Sequence, residues 1–509
     1  MRVLPCGDAA LLVEAGDAAL GVYAALLAER PAGVVDLVPA ANTVLVRLEP
    51  STSSGRAELT RLLASVEPAP VAAGADDLVT VEVKYDGDDL EEVAERTGLG
   101  VDGVVQAHAS ADYVVAFSGF APGFGYLTGL DPRLRLPRRE TPRTRVPAGS
   151  VGVAGEFTGV YPRSSPGGWH LLGRTTVPLF DPRRTPPALL RPGTRVRFEP
   201  VDTLPESTSD SPVAGAPPAG GVEVVRAGPL GTVQDRGRPG FAALGVGHSG
   251  AADARSATLA NRLVGNDEGA ACLELTMGSA TLVFREAARV AVTGAPCDLA
   301  RDDRGEAMNA PFTVRAGGRL TIGAPAAGLR TYVAVRGGLA VPETLGSRST
   351  DVLSGLGPAP LSPGDVLPIG TDHSGPPPAV DVAPVNPPAI GDLRVRVVPG
   401  PRADWCTPEA LETLLTARFT VTAESNRVGV RLEGPRLART RHDELPSEGM
   451  VAGAIQVPPS GRPVVFLADH PVTGGYPVLA VVLTKDLPIL AQARPGQTIS
   501  FRAQSPAAR

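Results

Sequence analysis

Apolar and polar residues alternate in short runs along most of the chain, and Gly, Pro, Asp and Ser punctuate the runs. Period-two alternation over four to eight residues is the signature of a half-buried strand. It predicts strands at residues 9–13, 43–48, 78–84, 113–117 and 194–198. Helical spacing appears in a few places near the start. Asp17 is placed to cap a helix running through Arg30, Ser54 one over 55–66, and Asp88 one stopping at Gly98. A further short helix is expected over 102–109.

Three segments echo one another. Gly167-Gly168 is followed by Pro192-Gly193 and the strand at 194–198, Gly337-Gly338 by Pro363-Gly364 and 365–367, and Gly474-Gly475 by Pro495-Gly496 and 497–501. Upstream, Ala148-Gly149-Ser150-Val151-Gly152-Val153 resembles Ala452-Gly453-Ala454-Ile455-Gln456-Val457. The repeat predicts one β-unit used three times, as a barrel or sandwich. A stretch of Pro, Ser, Ala, Gly and acidic residues reads as a linker at 201–220, and a Pro-rich bridge occupies 374–390. The expected units are therefore 1–75, a small α/β module read as scaffold, then 76–200, 221–373 and 391–505. The fold class is mainly β with α+β portions.

Composition narrows the chemistry. A chain of 509 residues is too long for one core. The net charge of −6 gives no general attraction to nucleic acid or to an anionic membrane. No sustained apolar leader or span of about 20 apolar residues is found, so the expected place is the cytoplasm, with no membrane partner. Cys6, Cys272, Cys297 and Cys406 lie far apart with no C-x-x-C, which points to buried free thiols. Only Lys84 and Lys485 stand against 46 arginines, and neither follows a glycine, so a P-loop is excluded. Neither has a neighbouring Met, so no biotin attachment site is present in this chain.

The most informative stretch is Ser118 to Arg174, with 11 Gly and 7 Pro in 57 residues interleaved with Phe120, Phe124, Tyr126 and Trp169. Within it Arg138, Arg139, Arg143 and Arg145 fall in eight positions. The arginine fork suits carboxylate or phosphate, so these loops read as an anion-handling site.

Gly119-Phe120-Ala121-Pro122-Gly123-Phe124-Gly125-Tyr126-Leu127, Pro147-Ala148-Gly149-Ser150-Val151 and Ser165-Pro166-Gly167-Gly168-Trp169 resemble the B-type subunit of bacterial ATP-dependent 5-oxoprolinase. Thr232-Val233-Gln234-Asp235-Arg236-Gly237-Arg238, Gly247-His248-Ser249-Gly250-Ala251-Ala252-Asp253 and Thr473-Gly474-Gly475-Tyr476-Pro477 resemble the C-type subunit of the same enzyme. The two families are also called allophanate hydrolase subunits 1 and 2. The resemblance implies three cyclophilin-like barrels after a small α/β domain. It also implies ATP and Mg²⁺, a separate A-type subunit of 5-oxoprolinase for a partner, and the opening of 5-oxo-L-proline to glutamate. Two other functions stay open on the same resemblance: a regulatory protein acting on a histidine kinase, and the carboxyltransferase part of a biotin-dependent urea or allophanate pathway. A homo-oligomer is also open.

For that chemistry the expected catalytic residues are His170, Asp235, Arg143 and Asp469. Arg143 and Arg145 would contact anions, with the Gly149-Ser150 backbone close to phosphates. Gly167, Gly168 and Trp169 mark a barrel mouth beside His170, and Arg174 could pair a substrate carboxylate. Asp235 could hold Mg²⁺ or a water, or else pair with Arg236. His248, Ser249 and Asp253 form a set that is not the G-x-S-x-G elbow. Glu274, Gln456, Thr473 and Tyr476 complete the binding candidates. No dedicated protein metal ligand set is expected.

Overall fold

The computed structural model describes residues 1–49, 56–70, 78–205, 220–371, 373–376 and 378–504. The cap expected at Ser54 and most of the linker expected at 201–220 lie outside the described residues.

The chain opens with a four-stranded antiparallel sheet of β1 (Arg2–Pro5), β2 (Ala10–Glu14), β3 (Val34–Pro39) and β4 (Thr43–Leu48), in the order β1-β2-β4-β3. Two helices, α1 (Ala19–Ala28) and α2 (Arg56–Ala64), cover one face. Side chains alternate across a strand. Leu11, Val13, Val44, Val46 and Leu48 therefore join the helices in one core. Ala10, Leu12 and Leu45 face the other way and join Met450, Ala454, Phe466, Val472, Val478 and Val481. The module expected as a scaffold is thus welded to the far end of the chain. Asp17 does not cap α1. A 3-10 turn over Gly16–Ala18 precedes the helix, and Ala18 stands in the cap position without a side-chain bond.

The next unit winds β5 (Leu78–Val83), α3 (Leu90–Thr97), α4 (Gly100–Ala109), β6 (Tyr113–Ser118), β7 (Gly125–Thr128), β8 (Arg143–Val146), β9 (Ser150–Ala154), β10 (Phe157–Val160), β11 (Ser165–Gly167), β12 (His170–Arg174) and β13 (Arg195–Pro200). Seven strands run in the order β12-β9-β10-β7-β6-β13-β5. Lys84 and Arg174 exchange backbone hydrogen bonds at 2.9 Å and join the two ends. Strand β13 returns parallel to β5, so the last strand closes on the first. Gly98 ends α3 in the left-handed region, as the sequence predicts. Asp89, not Asp88, occupies the cap position, and its carboxylate is engaged elsewhere.

The last unit is a closed barrel of seven strands, whose final strand Thr498–Ala503 runs parallel to its first, Leu393–Pro399. Its strand order repeats that of the first barrel position by position. In that correspondence β9 matches Ala454–Gln456, the pair singled out by the sequence echo. The middle unit departs from this plan. It has a six-stranded and a five-stranded sheet sharing one core, and its closing strand Val366–Leu367 pairs antiparallel with Val222–Arg226. The result is a mostly β, multi-domain barrel fold. No helix among the described residues is long and apolar enough to cross a membrane. All four cysteines are free.

Candidate functional site

Three of the four arginines in the first barrel's loop, Arg138, Arg139 and Arg143, are held in ion pairs. Arg143 donates through both terminal nitrogens to Asp89, at 2.9 and 2.7 Å, and Arg139 donates to the same carboxylate at 2.6 Å. The Leu171 N–H adds a bond of 2.7 Å. Burial alone would raise the Asp89 carboxyl, but these donors hold it below the usual range. Arg143 is therefore the fastener between the loop and α3, a correction to its reading as an anion contact. Arg145 is exposed and donates to Ser164 Oγ at 3.1 Å, and Arg174 pairs with Asp86.

His170 is fully buried. Its Nε2 lies 3.0 Å from the Pro137 carbonyl, while Nδ1 has no partner. Trp169 packs edge-on against Phe124 and Tyr126, and Gly167 lies so close to Tyr161 that a Cβ would sit 2.4 Å from its hydroxyl. Gly149 adopts φ +80° beside the Thr175 carbonyl, and Ser150 is buried on β9. Gly168 approaches Pro142. The aromatic residues of this rim pack on one another in one buried cluster.

In the second half, Asp235 accepts from Ser347 Oγ at 2.7 Å, Ser349 Oγ at 2.5 Å, Arg348 N at 2.6 Å and Gly237 N at 2.7 Å. Three donors converge on Oδ1 and one on Oδ2, so Asp235 organises its loop. Arg236 turns away from it to Glu268 and Asp267. Among the described residues no group of three or more His, Cys, Asp or Glu side chains is placed to bind a metal. The residues present do not fit a resident Mg²⁺ site.

Glu274 and Asp469 lie behind this loop in a buried ion cluster. Arg427 bonds Glu274 Oε1 at 2.5 Å and both Asp469 oxygens at 2.9 Å, and Arg330 meets Glu274 at 3.2 Å. Tyr332 donates its hydroxyl to Glu274 at 2.7 Å. Burial opposes ionisation of Glu274, but Arg427 and Arg330 hold its carboxyl low. Ser249 donates to Asp469 at 2.7 Å, so its hydroxyl is paired with a carboxylate and not with an imidazole. This disposes of a serine-hydrolase arrangement. Asp253 caps α5 (Ala254–Val264) through Ser256 N. Thr473 lies against Gly119, and Gln456 donates to the Tyr476 carbonyl. Of these, the Thr473–Gly119 contact joins two units, and the Gln456–Tyr476 bond lies within the last one.

What the sequence had not assembled is a cleft of about 420 Å³ at the junction of three units. Its buried floor includes Gln234, Ser249, Asn261 and His470, and its walls include His248, Ala251, Ala252 and Ala468. Arg47 enters from the N-terminal sheet, and Arg236, Arg255 and Lys485 stand at the rim. A cavity of this size falls in the usual range for a small ligand. Asp235 and Glu268 are the acidic residues of the lining, and both are already engaged. Among the described residues the side chains of Arg47, Arg255 and Lys485 make no hydrogen bond or ion pair. The cleft is thus cationic within an acidic protein.

Two imidazoles share it. His248 Nδ1 lies 3.1 Å from the Ser249 carbonyl and His470 Nδ1 lies 2.8 Å from the Pro471 carbonyl. A carbonyl can only accept, so both rings carry their proton on Nδ1 and leave Nε2 as a lone pair. Burial pushes each down to about 4, and the Arg47 charge pushes the same way. Both are neutral at physiological pH.

Arg47, Arg255 and His470 carried no signal in the sequence beyond their charge. Arg47 is the fifth residue of β4, and the alternation that turns Val44, Val46 and Leu48 toward α1 and α2 turns Arg47 toward the second half. That step was available from the strand pattern once the sheet's second face was known to be covered.

Residues 1–190 match the carboxyltransferase domain, subdomain C and D, and residues 244–503 the carboxyltransferase domain, subdomain A and B. The chain is 38% identical over 283 residues to the C-type subunit of 5-oxoprolinase from Escherichia coli strain K12, covering 55% of this chain and 90% of that one. It is 45% identical over 170 residues to the B-type subunit of 5-oxoprolinase from Escherichia coli O157:H7, covering 33% of this chain and 78% of that one. The crystal structure of TTHA0988 in space group P212121 superposes with a TM-score of 0.87 at 38% identity, over 97% of this chain and 99% of that one. The chain therefore belongs to the 5-oxoprolinase family, with a B-type and a C-type part joined in one polypeptide.

Proposed function

We propose that the protein is the B/C component of an ATP-dependent 5-oxoprolinase and works with a separate A-type subunit. Together they would convert 5-oxo-L-proline, ATP and two waters to L-glutamate, ADP and phosphate. The observation that carries this reading is the agreement of one chain with both the B-type and the C-type relatives in order, around a single cleft that both parts line. A lactam is a resonance-stabilised amide that re-forms readily from glutamate, so its opening needs coupling to ATP. Phosphorylation of the lactam oxygen followed by attack of water supplies that coupling. Such transfer asks chiefly for positioning and charge neutralisation, which Arg255 and Lys485 at the rim are placed to give. The neutral imidazoles of His248 and His470 offer acceptor nitrogens for a proton leaving water or amide. Mg²⁺ would arrive with the nucleotide as part of the substrate.

The test mixes the chain with the A-type subunit, 5-oxo-L-proline and MgATP. Glutamate and ADP should appear together, and neither component alone should release glutamate. Absence of glutamate from the mixture would remove the reading. The description of the family as a carboxyltransferase domain supports a second reading, carboxyl transfer from a biotinylated partner in trans. That reading predicts activity abolished by avidin.

A further inference from the structure

The cleft has a chemical polarity that its lining defines. Arg47 lines it with a planar fork of donors, a side chain with no hydrogen bond or ion pair among the described residues. The opposing charge that acts on it is Asp36, its partner in the strand register, and that carboxylate accepts from Gly240 N at 3.0 Å and Leu37 N at 3.1 Å. His248 and His470 line it too, each with Nδ1–H spent on a backbone carbonyl and Nε2 left as an acceptor. The remaining lining is divided between apolar residues such as Ala251, Ala252 and Ala468 and polar ones that include Arg236, Arg255 and Lys485 at the rim.

A fully ionised phosphoryl group offers only acceptor oxygens, so it would satisfy Arg47 but set its lone pairs against those of two neutral imidazoles. A small amide bearing a carboxylate has one group for each kind of partner. Its carboxylate takes the guanidinium fork, and its N–H donates to an imidazole nitrogen. We propose that this cleft binds the free carboxylate of a small cyclic amide through Arg47, with Nε2 of His248 or His470 accepting the amide N–H. The inference rests on the lactam reading above and deepens it, because Arg47 belongs to the B-type part while both imidazoles belong to the C-type part. The substrate site is then incomplete in either part alone.

The test is calorimetric titration of the full chain and of R47Q and R47K with three probes: 5-oxo-L-proline, 2-pyrrolidinone (the same lactam without the carboxylate) and inorganic phosphate. The wild-type chain should bind 5-oxo-L-proline, and R47Q should weaken that binding at least tenfold. R47K keeps the charge but loses the fork, so it should fall between them. It also decides the matter if R47Q proves misfolded by circular dichroism. For the wild type 2-pyrrolidinone should bind at least tenfold more weakly than 5-oxo-L-proline. Equal affinities for wild type and R47K, no binding of 5-oxo-L-proline, or Arg47-dependent binding of phosphate in its place would each overturn the proposal. Glutamate release by the assembled enzyme alongside Arg47-independent binding would sink this inference and spare the function. Arg47-dependent binding without turnover would do the reverse.

Discussion

At the scale of single residues, the charged side chains divide into those that are spent and those that are free. Arg143 is spent on Asp89, so R143A should leave affinity for 5-oxo-L-proline within twofold of wild type while lowering stability by about 1 kcal/mol, because Arg139 still serves the carboxylate. Calorimetry and denaturant unfolding check the two halves of that statement. Arg427 is spent more heavily, at the centre of a buried cluster with Glu274 and Asp469. Removing one member of such a cluster strands the others, so R427M should cost roughly 3–5 kcal/mol in denaturant unfolding. His108 gives a pH signature. It is fully buried between Tyr85 and Thr158, at 2.7 and 2.8 Å, and burial pushes it down to about 3. Its folded value lies below the ordinary 6.5, so the unfolded chain binds more protons between those values and stability falls as pH drops through that window. The pH dependence of the urea midpoint from 6.5 to 3.5 should be shallower in H108Q than in wild type. It should not vanish, because His248 and His470 are also held at about 4.

At the scale of elements, much of the β-pattern was legible and the site was not. Period-two alternation located β2, β4, β5, β6 and β13 to within two residues at either end, and the repeated Gly-Gly and Pro-Gly pairs marked equivalent turns in the two seven-stranded barrels. Caps were less legible, because a helix start depends on which backbone turn precedes it. Asp17 lost its place to a 3-10 turn, and Asp88 to the residue after it. The glycine-rich loop after β6 was read as an open anion site because composition cannot say what a glycine is close to. A Cβ on Gly119 would sit 2.0 Å from Thr473 Oγ1, and one on Gly245 would sit 2.4 Å from the Ala121 carbonyl. The loop is a docking surface between the parts. G119A should therefore destabilise by about 1–3 kcal/mol through overpacking, and T473A should recover part of that loss in the double variant, as thermal or denaturant unfolding of all four proteins will show.

At the scale of the whole molecule, the B-type and C-type parts share a core, ion pairs and a cleft. Arg402 bridges Glu14 of the first sheet and Glu448 of the last unit. Asp8 accepts from Thr484 N at 3.0 Å, and Arg163 reaches the carbonyls of Leu353 and Ser354. These contacts set β4 against the second half and place Arg47 in the cleft with His248 and His470. The most direct measurement of that arrangement is steady-state kinetics of wild type and R47Q, each assembled with the A-type subunit. The KM for 5-oxo-L-proline should be at least tenfold higher in R47Q, with the KM for ATP within twofold of wild type. An unchanged KM for 5-oxo-L-proline, or a rise confined to the KM for ATP, would contradict a carboxylate held by Arg47.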